Sequence, residues 1–311
     1  MMRGISREDR MDWLTLDTSP RTLVPGTVPL SPLGWGMWRF RGQDVAAARA
    51  LVETVLEAGV TLFDTADIYA GPGEPFGAAE ALLGRVLGEA PGLRDRMFLA
   101  TKGGINPGVP YDSSAGYLAA ACEASLKRLG VERVDLYQIH RPDLLSHPAA
   151  VAATLAGLVE QGKVAAVGVS NHSPAQVRAL QAHLPFKLVS TQPEFSALAH
   201  GPLFDGVLDQ AMELGMAVLA WSPLAGGRIA KPDGAKAQPV TALLDRIAAR
   251  DGVSRSAAAY AWIMAHPSRP IPLVGTQTPD RVREAADALK VRMTRTEWYG
   301  ILSTAMGAPL P

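Results

Sequence analysis

The chain has little of several features that mark particular classes of protein. Its 311 residues include one cysteine, Cys122, so no internal disulfide can form and a cytoplasmic location is expected. Residues 1–20 mix both charges and lack the apolar run that a secretory signal needs. No apolar run reaches the roughly 18 residues that a transmembrane helix requires, so no membrane partner is expected.

Net charge is lacking as well. Lys and Arg together number 30, as do Asp and Glu, so the formal net charge is +0. This balance argues against the long-range field with which proteins attract DNA, RNA or anionic lipid. Disordered chains combine low hydrophobicity with high net charge, whereas 48% of these residues are hydrophobic. The composition therefore predicts a neutral, folded protein that does not bind nucleic acid.

Short runs rich in Val, Leu and Ile recur along the chain and alternate with longer Ala-rich segments of helical period. The short runs are apolar throughout, which is typical of parallel strands that are covered on both faces. The predicted strands are Leu30–Met37, Val60–Phe63, Met97–Ala100, Val134–Ile139, Val164–Val169, Leu188–Thr191, Ala217–Ala220 and Ile271–Val274. The predicted helices include Asp44–Glu57, Pro202–Leu214, Pro279–Leu289 and a late segment, Thr294–Ala305.

Eight such strand–helix units predict an α/β fold, a (β/α)₈ TIM barrel in one domain with an accessory C-terminal helix. We assign residues 1–21 to an N-terminal extension, loosely ordered or packed on the outside, and residues 22–311 to the barrel. A doubly wound sheet is the alternative, but it would carry a G-x-G-x-x-G motif after its first strand. Gly34 and Gly36 supply only the first half of that motif.

Polar residues stand where the predicted strands end, which is the edge of a barrel that carries chemistry. Asp64, Lys102 and His140 follow the second, third and fourth strands at intervals of 38 residues, so we expect them side by side. Tyr69 lies in the loop after Asp64. Such a set suits proton transfer, because Lys102, held by Asp64, can lower the pKa of Tyr69. The imidazole of His140 can orient a carbonyl oxygen.

These residues belong to motifs that resemble those of the aldo-keto reductase family in order and spacing: FDTADIY, ATK, IHRPD, GVSN, QPEF and WSPLAGG. The resemblance spans roughly Thr22 to Leu289 and is strongest to the bacterial members with short loops around the site. It implies a barrel that binds NADPH, with NADH as the alternative, and that reduces aldehydes or ketones. The catalytic tetrad that it implies is Asp64, Tyr69, Lys102 and His140. Tyr69 would donate the proton.

The resemblance also implies cofactor contacts. Those near the nicotinamide are Ser170, Asn171, Gln192 and Trp221, and those near the pyrophosphate are Ser222, Leu224, Gly226 and Arg228. Those near the adenosine phosphate are Gly275, Thr276, Gln277, Arg281 and Glu284. Gly275 stands where many members carry lysine, and Ala285 where asparagine is common, so NADH is kept as the alternative. Trp38 is a candidate for the wall of the substrate pocket.

Three interpretations of function remain at this stage. The first is an NADPH-dependent oxidoreductase that reduces a small carbonyl substrate in an open pocket of broad tolerance. The second is a non-catalytic NADP(H)-binding barrel that acts as a regulatory or sensor module. The third is a barrel hydrolase or isomerase, which would need a metal or a nucleophile. No metal site is expected from the histidine spacing, and no pattern sets an oligomeric state.

Overall fold

Parallel strands form the interior of the fold. The computed structural model describes residues 12–234 and 237–310, and these residues contain eight strands. The strands are β1 Gly34–Gly36, β2 Leu62–Asp64, β3 Phe98–Gly103, β4 Val134–Ile139, β5 Val164–Ser170, β6 Ser190–Gln192, β7 Ala217–Ala220 and β8 Ile271–Val274. Neighbouring strands are parallel, and β1 pairs with β8 to close the ring. The predicted (β/α)₈ barrel is confirmed.

Helices cover the outside of the barrel. In the described ranges they are α1 Val45–Glu57, α2 Ala78–Glu89, α3 Ala115–Leu129, α4 Pro148–Glu160, α5 Pro174–Gln181, α6 Val207–Leu214, α7 Ala237–Asp251, α8 Arg255–Met264, α9 Pro279–Ala286 and α10 Arg295–Met306. Several begin at a capping side chain that accepts a hydrogen bond from an otherwise unpaired helix amide. Asp44 caps α1 and Ser114 caps α3 in this way. The caps therefore set where the crossover helices start.

The accessory C-terminal helix α10 is fixed to α8 by two tryptophans. The indole nitrogen of Trp262 donates to the backbone carbonyl of Trp298 at 3.1 Å, and the indole nitrogen of Trp298 donates to the carbonyl of Trp262 at 2.9 Å. Their rings are stacked with centroids 5.0 Å apart. Both indole N–H groups are thus satisfied inside an otherwise apolar contact, which joins α10 to the barrel wall.

The first strand is shorter than the predicted run Leu30–Met37. Only β1 pairs within the barrel, because Leu30 exchanges two backbone hydrogen bonds with Arg21 instead. The chain then turns into a 3₁₀ helix over Met37–Arg39. The apolar run therefore indicated a buried segment correctly but not the length of the paired strand.

Two predicted helices are divided. The segment Pro202–Leu214 overlaps a 3₁₀ turn, Gly201–Leu203, and α6 begins only after Gly206, whose φ of 83° is not helical. The segment Pro279–Leu289 is α-helical as far as the end of α9 and then tightens into a 3₁₀ helix over Asp287–Lys290. A tightened last turn of this kind is common at helix C-termini.

The described part of the N-terminal extension, residues 12–21, lies against the C-terminal region. The backbone nitrogen of Leu14 donates to the carbonyl of Met293 at 2.8 Å, and the guanidinium of Arg292 lies 4.1 Å from the Trp13 ring centroid. Residues 1–11 fall outside the described residues, and the boundary at residue 21 stays a prediction. In the described part of the chain, no helix combines the length and apolarity that a membrane span would need.

Candidate active site

The side chains that face the inside of the barrel change from apolar to polar toward the carboxyl ends of the strands. Successive side chains of a strand point to opposite faces, so positions two apart share the interior. The inward positions run from Leu62 to Asp64 on β2, from Phe98 and Ala100 to Lys102 on β3, and from Leu136 to Gln138 on β4. We call Leu62, Phe98, Ala100 and Leu136 the apolar floor. Directly above this floor lies the polar layer that contains the predicted tetrad.

Lys102 is the centre of this layer and is fully buried. Its Nζ donates to Asp64 Oδ2 at 2.6 Å, to the backbone carbonyl of Thr65 at 2.8 Å and to the hydroxyl of Tyr69 at 3.0 Å. All three hydrogens of the ammonium are thereby used. The rings of Tyr69 and His140 meet edge to face with centroids 5.7 Å apart. The four predicted tetrad residues therefore come together.

The polar layer changes the proton affinities of its members. Burial raises the pKa of the Tyr69 phenol above its ordinary value, and the Lys102 ammonium acts in the opposite direction. The expected effect of Lys102 on the Tyr69 pKa is therefore present, but in the protein alone burial outweighs it. Burial alone would lower the pKa of Lys102, but Asp64 and Tyr69 raise it. Lys102 is thus positively charged at neutral pH.

His140 is neutral at neutral pH. Burial, together with the positive charges of Lys102 and Arg141, holds its pKa well below the ordinary value. Its Nδ1 is buried and has no hydrogen-bond partner among the described residues. A neutral imidazole carries one hydrogen, and with that hydrogen on Nε2 it can act as a hydrogen-bond donor.

Two amide side chains hold the carboxylate of Asp64. Its Oδ1 accepts hydrogen bonds from Gln192 Nε2 at 3.0 Å and from Gln138 Nε2 at 3.2 Å. Gln192 was predicted as a cofactor contact, and here its amide nitrogen also orients the tetrad. Gln138 was missed by sequence reasoning, although its position two residues before His140 places it on an inward site of the same strand.

A second buried carboxyl, Asp67, adjoins the polar layer. Its backbone nitrogen donates to the carbonyl of Lys102 at 3.1 Å. Neither carboxyl oxygen has a hydrogen-bond partner among the described residues, and the side chain is fully buried. Burial and the neighbouring Glu80 raise the pKa of Asp67 to about 8. Asp67 therefore keeps its proton at neutral pH.

A cavity of about 960 Å³ opens above the polar layer. The predicted site residues that line it are Trp38, Asp64, Tyr69, His140, Ser170, Asn171, Gln192, Trp221, Ser222, Leu224, Gly226, Gly275, Thr276, Gln277, Arg281 and Glu284. Lys102 lies beneath this lining. Arg228 lies outside it, and its Nε donates to the carbonyl of Ala225 at 3.0 Å. One cavity thus brings together all predicted site residues except these two.

Asn171 organises the wall of the cavity next to His140. It adopts a left-handed φ of 59°, which asparagine tolerates better than most residues. Its Nδ2 donates to Ser170 Oγ at 2.8 Å and to the carbonyl of His140 at 3.2 Å, while its Oδ1 accepts from Trp221 Nε1 at 2.9 Å. The side chains after β5 and the indole after β7 are therefore fixed relative to the tetrad.

Another part of the cavity wall is formed by the segments that follow β7 and β8. Ser222 has a φ of 52°, and its Oγ accepts a hydrogen bond from the Gly226 nitrogen at 2.8 Å. After β8, the carbonyl of Thr276 accepts from the indole of Trp35 at 2.9 Å. A side chain at Gly275 would place its Cβ only 3.3 Å from Arg39 Nη1. Arg39 therefore occupies the space beside this glycine.

Sequence reasoning missed several polar residues of the lining, namely Arg39, Arg141, Lys231, Ser256, Tyr260 and Thr278. Arg141 directly follows His140, and Arg39 directly follows Trp38, so their neighbours in the sequence could have indicated them. Ser256 and Tyr260 lie on α8, which follows another helix rather than a strand. No strand-end pattern could have found those two. Within residues 12–234 and 237–310, no three His, Cys, Asp or Glu residues gather as metal ligands would.

Comparisons with known proteins identify the family of the chain. The sequence profile of the aldo/keto reductase family matches residues 32–303. The chain belongs to the aldo/keto reductase family. A "6-dehydroglucose reductase" of Novosphingobium aromaticivorans is 50% identical over 304 residues, covering 97% of this chain and all of the relative. Another "6-dehydroglucose reductase", from Agrobacterium fabrum, is 39% identical and covers 92% of this chain and 98% of its own.

Two further comparisons concern another curated relative and a solved structure. "Oxidoreductase YdhF" of Escherichia coli is 36% identical, covering 93% of this chain and 98% of the relative. A crystal structure of the thermostable aldo-keto reductase Tm1743 with the inhibitor epalrestat superposes with a TM-score of 0.78. The match covers 92% of this chain and 99% of the chain in that structure. Because the two sequences are 23% identical, it supports the fold alone. The family resemblance predicted from the motifs is confirmed, and the protein is an NAD(P)H-dependent oxidoreductase.

Proposed function

We propose that this aldo/keto reductase is an NADPH-dependent carbonyl reductase in which Tyr69 is the proton donor. The proposal depends on one observation: the Tyr69 hydroxyl is hydrogen-bonded to the buried Lys102 ammonium and faces a cavity that His140 also lines. A phenol beside a fixed positive charge can release its proton to an oxygen that gains negative charge, because the phenolate left behind is stabilised.

The residues of the cavity fit an extended dinucleotide phosphate. Neutral amide and hydroxyl groups of Ser170 and Asn171 line the end next to the tetrad, and the cations Arg39, Lys231 and Arg281 line the cavity as well. The cations match the phosphates of a dinucleotide, and the amide and hydroxyl groups match its carboxamide. When bound, NADPH supplies the hydride that reduces the carbonyl carbon.

The nucleotide-binding roles are proposed residue by residue. Ser170, Asn171 and Gln192 would hold the nicotinamide carboxamide, with the Trp221 ring against the nicotinamide. Ser222, Leu224 and Gly226 would border the pyrophosphate, while Gly275, Thr276, Gln277 and Glu284 would surround the adenosine. Arg281 would pair with the 2′-phosphate. Arg39, which lies beside Gly275, would replace the lysine that many family members carry there. This second cation favours NADPH over NADH.

The chain's own residues account for the proton transfer. His140 would donate a hydrogen bond from Nε2 to the carbonyl oxygen, since the imidazole is neutral. As negative charge develops on that oxygen, Tyr69 would give up its proton, so that its O–H bond breaks while the alcohol O–H bond forms. Lys102 would stabilise the resulting phenolate, and Asp64 keeps the ammonium in place. A proton from solvent would then restore Tyr69.

The relatives guide the proposal for the substrate. Two of them, at 50% and 39% identity, are named for the reduction of 6-dehydroglucose. We infer that this protein also reduces a polyhydroxylated sugar carbonyl compound. Trp38 would form one wall of the substrate site, because its ring packs edge to face on Tyr69 with centroids 5.2 Å apart and half of its surface is exposed.

Tyr69→Phe tests the assignment of the proton donor. The variant should bind NADPH with unchanged Kd, measured by fluorescence titration, and lose at least about 100-fold in kcat, since general acids contribute this much or more. The matched control is Tyr299→Phe, which removes a half-exposed phenol on α10. Normal turnover by Tyr69→Phe would refute the assignment. NADPH binding by the unaltered protein without turnover of any aldehyde would instead support the non-catalytic interpretation.

A further inference from the structure

Arg141 brings an uncompensated positive charge into the cavity, next to the tetrad. It follows His140 at the end of β4, is half-buried and lines the cavity. Its guanidinium carbon lies 5.7 Å from the centroid of the Trp221 ring. In the described part of the chain, no carboxylate forms an ion pair with it. Its donors are therefore available to a ligand.

The acid nearest to Arg141 in the sequence, Asp143, is engaged elsewhere. Its Oδ2 accepts hydrogen bonds from the Ser113 nitrogen at 2.8 Å and from Ser146 Oγ at 2.6 Å. Its Oδ1 accepts from the Leu145 nitrogen at 2.9 Å. Asp143 thus shapes the loop after β4 and leaves the guanidinium without a partner.

The surroundings of Arg141 decide which ligand groups it can meet. A guanidinium presents parallel N–H donors that match two neighbouring oxygens, which a point-like ammonium does not. Arg141 lines the same cavity as His140 and Tyr69, so its donors face the space in which the reacting carbonyl would be held. The half-exposed indole of Trp38 lines the same cavity and offers an apolar face to C–H groups. Adjacent hydroxyls on a carbon chain, next to the carbonyl, satisfy both requirements.

We propose that Arg141 binds hydroxyl groups adjacent to the substrate carbonyl and so selects polyhydroxylated aldehydes over plain aldehydes of the same length. This inference rests on the proposed reductase function. It assigns the selection to one side chain outside the tetrad and outside the cofactor contacts. The selection acts mainly on substrate binding, because these hydroxyls take no part in the transfer of hydride or proton.

The test compares matched substrates with variants of Arg141. D-glyceraldehyde is compared with propanal, and D-erythrose with butanal, using the unaltered protein, Arg141→Met and Arg141→Lys. Losing a hydrogen bond from a charged group costs about 1.5–3 kcal/mol, so Arg141→Met should lower kcat/KM for the hydroxylated aldehydes about 10- to 100-fold, mostly through KM. Propanal and butanal should change by less than about threefold. Arg141→Lys should restore little of the lost kcat/KM, because lysine keeps the positive charge but lacks the parallel N–H donors of the guanidinium.

The controls separate binding from structural effects. Arg178→Met removes an exposed arginine on α5 and should leave all four substrates unchanged. The NADPH Kd and the Tm of the Arg141 variants should equal those of the unaltered protein. An equal loss on hydroxylated and plain aldehydes would overturn the inference, because Arg141 would then act through His140 or the fold.

A third class of substrate tests the chemistry of the ligand group. If Arg141→Met loses activity mainly toward the carboxylated aldehydes glyoxylate and succinic semialdehyde, recognition of a carboxylate replaces that of hydroxyls and the inference fails. If the unaltered protein reduces none of these compounds, the proposed function fails and the inference fails with it. Failure of the proposed function can be told apart from failure of the inference alone, because it is seen with the unaltered protein and needs no variant.

Discussion

Replacing Asp67 with Asn should remove a dependence of stability on pH that the fold creates. The pKa of this buried carboxyl is raised from 3.8 to about 8, chiefly by burial. Between these two values the folded protein binds a proton that the unfolded chain has lost, so stability falls as pH rises. The slope is about 1.4 kcal/mol per pH unit, or about 3 kcal/mol between pH 5 and pH 7. An asparagine amide has the shape of the protonated acid and does not ionise.

The assay is thermal unfolding at pH 5, 6, 7 and 8. The Asp67→Asn variant should unfold about 3 °C above the unaltered protein at pH 5 and about 9 °C above it at pH 7, at about 2 °C for each kcal/mol in a chain of this size. Asp233→Asn removes an exposed carboxylate, and its Tm should change with pH in the same way as the Tm of the unaltered protein. If the Asp67→Asn curve also stays parallel, Asp67 does not hold a proton in the folded state.

Two further predictions follow from the polar layer and the cavity. Lys102→Met should abolish turnover and lower Tm, because Asp64 loses its buried partner at a cost of about 3–5 kcal/mol, and adding Asp64→Asn should restore part of the Tm. An unchanged Tm for Lys102→Met would contradict the buried ion pair. Arg281→Ala and Arg39→Ala should each weaken NADPH binding about 10-fold, with little effect on NADH, as measured by fluorescence titration. Equal losses for both nucleotides would show that these arginines do not bind the 2′-phosphate.

Much of the fold was predictable because its signals are local. Uninterrupted apolar runs separated by helical segments identified all eight strands, and strand-end positions led directly to Asp64, Lys102 and His140. The errors arose where a single backbone angle determines where a helix begins. At Gly206, for example, a non-helical φ delays the start of α6. The hydrophobic pattern also could not predict the length of β1, since an apolar residue such as Leu30 can be buried without pairing in the barrel.

The candidate site was predictable in its reactive groups but not in their electrostatics. The Tyr69–Lys102 pair follows from the motif, yet the net direction of the Tyr69 pKa depends on burial, which the sequence does not reveal. Gln138 holds Asp64 only because β2, β3 and β4 are in a particular register. Whether Arg141 and Arg39 line the cavity depends on its shape, which the sequence does not give. Tyr260 reaches the cavity from a helix that no strand precedes.

The apolar floor has a consequence for how the polar layer acts at a distance. Leu62, Phe98 and Leu136 exclude water and counterions from the space directly below the Asp64–Lys102 pair. Matter of low polarisability screens an electric field weakly, whereas water screens it strongly. The apolar floor therefore screens the field of the Asp64–Lys102 pair only weakly. How strongly this field acts on a molecule at the rim of the barrel depends on the residues that lie above the pair. Adding a polar side chain to the floor would weaken that field without touching any residue that meets the substrate.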